Sequence, residues 1–267
     1  MTKMLTITGL AKEKNLFKVT FSNHETLLVS EDQLVRHRLL KGQEISEAEL
    51  RELKDSSRFD LGLQESYRYI SYQLRSEKEV DQFLKEHELL LKDRKKVIER
   101  LKELNLVNDK IYAESYVRTQ MRLSGKGPGA IRQQLLKKGI KGATAEDALA
   151  LYEEKEQLAV ALHTGEKALR RIHGKSFKET GQKLRQSLMQ KGFGPEEINQ
   201  VLAELLVEKD QEAENAALEK EADKLWRRHQ SKPREKRNQK IKQSLYQKGF
   251  DLTAIQQYLD SKEEMDD

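Results

Sequence analysis

Three ten-residue segments of the chain are near copies: Ile131-Arg-Gln-Gln-Leu135-Leu-Lys-Lys-Gly139-Ile140, Leu184-Arg-Gln-Ser-Leu188-Met-Gln-Lys-Gly192-Phe193 and Ile241-Lys-Gln-Ser-Leu245-Tyr-Gln-Lys-Gly249-Phe250. Their glycines lie 53 and 57 residues apart. Self-similarity at such a period makes the molecule an array of one small unit, each copy burying its apolar face against its neighbours. Within the copy, an aliphatic residue, a leucine four later and a glycine four beyond that mark the stripe of a short helix and its stop. The next position is apolar (Ile140, Phe193, Phe250), and nine residues further on stands Leu149, Leu202 or Leu259, which predicts a following helix. Another helical pattern precedes each copy, over 109–123, 158–172 and 212–229. The unit is therefore three helices. A degenerate earlier unit has Ser76-x-x-Glu79 as a capping box, Val80 and Leu84 as the stripe, Glu88 in place of the glycine, and Val97 and Leu101 continuing the pattern. Pro128, Pro195 and Pro233 fall where helices start.

The first 55 or so residues differ. Leu5 and Ile7, then Phe17, Val19 and Phe21, alternate with polar residues, and Leu27-Leu-Val29 follows. This predicts a small antiparallel sheet of two or three strands. Ser30-x-x-Gln33 and Ser46-x-x-Glu49 read as capping boxes opening two short helices that cover it. Hydrophobic and charged residues each make up 36% of the chain, too lean for a thick parallel sheet and well suited to helices that bury one stripe. The expected fold is mainly α: tandem three-helix repeats in an elongated, curved array behind a small β-containing N-terminal domain. The expected divisions are 1–57 for that domain and 58–106, 107–156, 157–209 and 210–267 for four repeats.

Net charge is only +5, but its distribution is phased with the repeat. Residues 118–141 hold seven basic side chains and no acidic one, 167–191 hold eight against Glu179, and 224–242 hold nine against Glu235. One such run is ordinarily a solvated helix face. Three in phase predict a basic stripe facing something long and negative. Arg132, Arg185 and Lys242 are equivalent positions, as are Lys138, Lys191 and Lys248, all off the apolar stripe and expected to be exposed. With Arg118, Arg122, Lys126, Arg227 and Arg228 they form the candidate nucleic-acid or filament-binding set.

Little else carries chemistry. Cysteine is absent, so no disulfide, thiolate metal site or cysteine nucleophile exists. No histidine pair has i,i+4 spacing, and no metal or cofactor is expected. Gly174-Lys-Ser176 resembles the end of a P-loop, but Leu169 stands where that motif needs glycine. Gly125-Lys-Gly-Pro-Gly129 reads first as a turn between helices, with a phosphate cradle at the helix start as the sharper alternative. Trp226, among Lys224, Arg227 and Arg228, reads as a core anchor before a base-stacking platform, and Tyr67, Tyr69 and Tyr72 read as packing residues. No residues support an enzyme. The alternating start lacks a signal-peptide core and no apolar run spans a bilayer, which predicts a soluble cytoplasmic protein.

Ala113-Glu-Ser-Tyr116-Val-Arg118, Ser124-Gly-Lys-Gly-Pro128 and Ile131-Arg-Gln-Gln-Leu135-x-x-Lys-Gly139 together resemble the motifs of the RecX family, as do Ser76-Glu-Lys-Glu-Val80, Leu106-Val-Asn-Asp109 and the later Leu-x-x-Lys-Gly-Phe units. The resemblance covers about residues 60–260, and the β-rich start resembles the family's longer members. Glu88 departs from the pattern, where a glycine-containing turn is expected. The resemblance implies a non-enzymatic modulator of the RecA recombinase in DNA repair, recombination and the SOS response, and the chain is expected to be a monomer. It would associate with RecA and its single-stranded DNA filament and restrain filament growth, strand exchange, ATP hydrolysis and LexA-type co-protease activity. Some members also bind DNA directly, double-stranded DNA being a further ligand. Two other classes fit the residues: a general DNA-binding helical repeat protein with no recombinase partner, and a helical scaffold for an acidic protein.

Overall fold

The computed structural model describes residues 4–206 and 208–266, the side chains of 265 and 266 excepted. The chain divides into two compact units, Met1–Ala113 with Leu136–Thr144, and Glu114–Leu135 with Ala145–Asp267.

The first unit opens with a four-stranded antiparallel sheet of β1 (Met4–Glu13), β2 (Leu16–Phe21), β3 (Thr26–Val29) and β4 (Glu44–Ser46), in the order β3-β2-β1-β4. The alternation in the sequence carries Leu5, Ile7, Val19, Phe21 and Val29 to one buried face. The fourth strand exceeds the two or three expected, because three residues are too few to show a period; Leu5 pairs with Ile45 across it. Ser30 caps α1 (Glu31–Arg36) by accepting from the Gln33 N–H at 3.2 Å. The reciprocal half of that box is missing, since the Gln33 amide donates instead to Asp60 at 2.6 Å. Ser46 and Glu49 do form a full capping box, but the helix they open is not short: α2 runs from Glu47 to Ser71. Its first half buries Leu50 and Leu53 on the sheet, and Phe59 and Leu63 further along pack on the first repeat. No proline intervenes before Ser71, and Gly62 is held in helical backbone against Leu89 and Val97, so the helix continues past the boundary expected after residue 57.

The remaining helices follow the predicted rhythm. They are α3 (Glu77–Glu86) and α4 (Leu91–Glu103), α5 (Asp109–Leu123), α6 (Pro128–Lys137) and α7 (Ala143–Leu149), α8 (Glu154–Leu169), α9 (Phe177–Gln190) and α10 (Pro195–Leu205), and α11 (Gln211–His229), α12 (Arg234–Gln247) and α13 (Leu252–Asp266). The stripe residues of the four middle helices, Val80 and Leu84, Ile131 and Leu135, Leu184 and Leu188, Ile241 and Leu245, are all fully buried. Helices of 10 to 14 residues are marginal alone, so this burial, worth about 1.5–3 kcal/mol per side chain, holds them.

Each middle helix ends in the same way. Gly139, Gly192 and Gly249 have φ of +89°, +85° and +92°. In the third repeat the Gly192 N–H donates to the Met189 carbonyl and the Phe193 N–H to the Leu188 carbonyl, the paired bonds of a Schellman stop. The first repeat keeps that stop without the glycine: the Glu88 and Leu89 N–H groups donate to Lys85 and Leu84 carbonyls, with Glu88 at φ +61°. A left-handed non-glycine residue costs roughly 1–2 kcal/mol.

Glu88 is solvent-exposed, so Glu88→Gly removes that cost without losing packing and is expected to stabilise the chain by about 1 kcal/mol. Gly192→Val is expected to do the reverse by more than this, because its Cβ would also run into the Ala130 backbone nitrogen. Chemical denaturation of both variants beside wild type checks the pair; equal midpoints would sink the helix-stop account.

Candidate nucleic-acid interface

The middle helices meet end to start. At the first junction, the buried Ser76 hydroxyl both accepts from the Glu79 N–H at 3.2 Å and donates to the Lys138 carbonyl at 2.7 Å. The Lys138 ammonium reaches back to Glu79 at 2.5 Å. A Cβ on Gly139 would lie 2.7 Å from that of Lys78, so the glycine is required by the close approach as well as by its φ. At the third junction Ser176 repeats this, donating to the Lys248 carbonyl, and the Lys248 ammonium pairs with Glu221.

The second junction is built differently. Gly127 and Gly129 occupy the start of α6, and their N–H groups donate to the Lys191 and Gly192 carbonyls at 2.8 and 3.0 Å. Backbone here touches backbone: a Cβ on Gly127 would sit 2.5 Å from the Gly192 oxygen. The Gly125–Gly129 segment is thus the turn expected of it. The N–H groups of Gly127 and Gly129, which a phosphate cradle would use, are already spent.

These junctions sort the sequence candidates. Lys138 and Lys248, expected to be exposed, are half-buried in ion pairs within the fold. The Arg132, Arg185 and Lys242 positions each clasp the next helix fourteen residues on. Arg132 grips Glu146 at 2.9 and 2.7 Å, Arg185 reaches Asn199 at 2.9 Å and Lys242 reaches Gln256 at 3.1 Å. Arg118 lies 3.7 Å from Glu114, and Lys126 donates to Gln120 at 3.1 Å. Arg227 and Arg228 are exposed at the end of α11, but Trp226 beside them is buried in the core of the last repeat. Arg237 covers the indole at 3.8 Å, leaving no face for a base. Tyr69 stacks on Phe83 at 4.2 Å, whereas Tyr72, expected to pack, is 79% exposed.

Of the eleven candidates, Arg118, Arg132, Lys138 and Lys248 are paired with carboxylates; among those that are not, Arg122 and Lys191 share one site. They line an open cleft of about 700 Å³ between α5, α8 and α9, within the second unit. Lys167, Arg171 and Lys183 line it too, with Met121, Leu123, Val160 and Ile172 supplying apolar wall. No carboxylate among the described residues lines it; Lys183 alone of the five cations has an acidic neighbour, Glu179 at 3.7 Å. Lys167, Arg171 and Lys183 belong to the basic run over 167–191, yet equivalence between repeats does not single them out. Their spacing within the run is the available signal: α8 and α9 cross, bringing residues far apart in sequence to one recess.

A family model described as "RecX, second three-helix domain" matches residues 108–149, and one described as "RecX, third three-helix domain" matches twice, over 154–202 and 212–259. Regulatory protein RecX of Enterococcus faecalis is 51% identical over 261 residues, 97% of this chain and 98% of its own. The chain belongs to the RecX family. Regulatory protein RecX of Levilactobacillus brevis is 36% identical over 96% of each chain. A crystal structure of regulatory protein RecX superposes with a TM-score of 0.62 and 29% identity, covering 74% of this chain and 98% of that one. A crystal structure of RecX from Lactobacillus salivarius covers 57% of this chain and 99% of its own, with a TM-score of 0.54 and 39% identity. The double match agrees with the helix lengths: α9 and α12 have 14 residues each, α6 only 10. No helix among the described residues is long and apolar enough to cross a membrane.

The junction ion pairs make stability depend on acid. Burial works against ionisation of Glu79, but the Lys138 ammonium and the Ser76 N–H hold its carboxyl below the ordinary 4.5. The Lys248 ammonium does the same for Glu221. Depressed carboxyls contribute stability that is complete above 4.5 and lost as pH falls through their folded values. Melting temperature should therefore drop below pH 4.5, and Lys138→Gln with Lys248→Gln should flatten that drop while lowering stability at neutral pH. A variant with an unchanged acid limb would count against the pairing.

Proposed function

We propose that the protein regulates the RecA recombinase by associating with its single-stranded DNA filament, restraining ATP hydrolysis, strand exchange and co-protease activity. Membership of the RecX family supports the regulatory role. The cleft carries the contact: Arg122, Lys167, Arg171 and Lys191 present unneutralised charge in a chain whose other repeated cations are mostly used internally. Charge left uncompensated on one recess draws a polyanion, and a DNA strand in a filament is a continuous one. Among the described residues no group of three or more His, Cys, Asp or Glu is arranged to hold a metal ion, and the regulation needs no chemistry beyond binding.

The test is RecA ATP hydrolysis on single-stranded DNA with the protein titrated in. The expected outcome is inhibition that saturates with protein and weakens as salt rises, because bound counterions are released on association. Unaltered hydrolysis, together with no co-sedimentation with the filament, overturns the proposal. Binding to bare DNA as tight as to the filament, with hydrolysis unaltered, would instead identify a DNA-binding repeat protein without a recombinase partner.

A further inference from the structure

We infer that the second junction has been converted into a single-strand nucleic-acid site by loss of the carboxylates that neutralise the equivalent lysine at the other two. The starting point is one repeated lysine in three settings. Lys138 is paired with Glu79, the third residue of α3. Lys248 is paired with Glu221 on α11. Lys191 has neither partner. The residue of α6 that stands where Glu79 stands in α3 is Ala130, third in its helix, and it packs against Gly192. The residue 57 positions before Glu221, the spacing of the two glycines, is Thr164, whose hydroxyl donates to the Gly125 carbonyl at 3.3 Å. Both acids are replaced by uncharged residues at this junction alone.

The backbone of Lys191 stays fixed all the same. The Gly127 N–H holds its carbonyl, doing by main chain what Ser76 and Ser176 do by side chain at the other junctions. The glycine-rich start of α6 thus keeps the junction closed while releasing the ammonium to the cleft. There it joins Arg122, Lys167, Arg171 and Lys183. Leaving one such lysine unpaired is cheap at a surface; gathering five cations in one recess is not, unless an anion is bound for part of the time.

The chemistry of the recess favours a phosphodiester strand over an acidic polypeptide. Its cations come from three helices and alternate with apolar side chains, and Leu123 at the rim is 81% exposed. A single strand offers one charge per nucleotide beside a flat apolar base face, which suits interleaved cations and apolar wall. An acidic polypeptide offers no flat apolar face beside each charge to meet that wall. A duplex hides its base faces. Naming DNA as the strand rests on the filament reading above; the cleft and its missing carboxylates do not.

The experiment is fluorescence anisotropy of a labelled oligo-dT with the full chain alone, over a salt series. Thr164→Glu gives Lys191 the partner that Glu221 gives Lys248. It should keep the melting temperature and weaken oligo-dT binding on the order of tenfold. Arg171→Gln with Lys191→Gln should weaken it too and lower the salt slope by roughly 0.7 for each phosphate that is no longer neutralised. Lys138→Gln should lower the melting temperature and leave binding unchanged. Wild-type affinity and salt slope in both cleft variants, or binding of poly-glutamate as tight as of oligo-dT, overturns the inference. If wild type binds oligo-dT in this pattern but leaves RecA hydrolysis untouched, the filament reading fails and the cleft stands. If it inhibits RecA and both cleft variants inhibit and bind as well as wild type, the cleft fails and the filament reading stands.

Discussion

The structure depends on a helix stop that is also a contact surface. A middle helix ends on a residue at positive φ, its last carbonyls satisfied by the two N–H groups beyond. With a glycine there, the bare Cα lets the start of the preceding repeat's middle helix approach within van der Waals range, as Lys78 does at Gly139 and Lys178 at Gly249. One residue thus closes a repeat and joins it to its neighbour. This is why the copied segment ends in Lys-Gly and not merely in any helix terminator, and why the copied lysine stands beside the joint.

The charge of the chain acquires a different meaning once the joints are visible. Phased basic runs read as one continuous external stripe, yet most repeated cations are internal fasteners. Lys138 ties a joint, Lys248 fastens α12 to α11 within the last repeat, and Arg132, Arg185 and Lys242 brace the third helix of each repeat against the second. Exposed braces of this kind contribute little stability singly, since solvent screens them. Their repetition reflects the repeated geometry. Part of the charge that the fold does not use lines the cleft between α5, α8 and α9.

The repeat, its three-helix content and the glycine conformation are legible in the sequence because the period is long-range and the stripe is periodic: four pairs from Val80 and Leu84 to Ile241 and Leu245 are buried as the spacing requires. Two features of the first unit are not. β4 is too short to carry a pattern, and α2 continues to Ser71 because nothing in its sequence halts it. The candidate site is half legible. Arg122 and Lys191 stand out in the sequence, while Lys167, Arg171 and Lys183 do not, since equivalence between repeats selects what the copies share. A site specific to one junction lies in what they do not share.

That contrast separates what the copies share from what one junction alone carries. Keeping the lysine at every joint while deleting its acid at one leaves the architecture intact and creates an unsatisfied charge at a defined place. The deletion needs compensation in the backbone, because the Ser cap and its partner carboxylate are lost together. Gly127 and Gly129 provide it by bringing main-chain donors directly onto the Lys191 and Gly192 carbonyls, an approach that any side chain on Gly127 would block. The glycine cluster, which in the sequence suggests a phosphate cradle, therefore acts on the joint itself. It satisfies the joint through the backbone, and so leaves the Lys191 ammonium free to line the cleft.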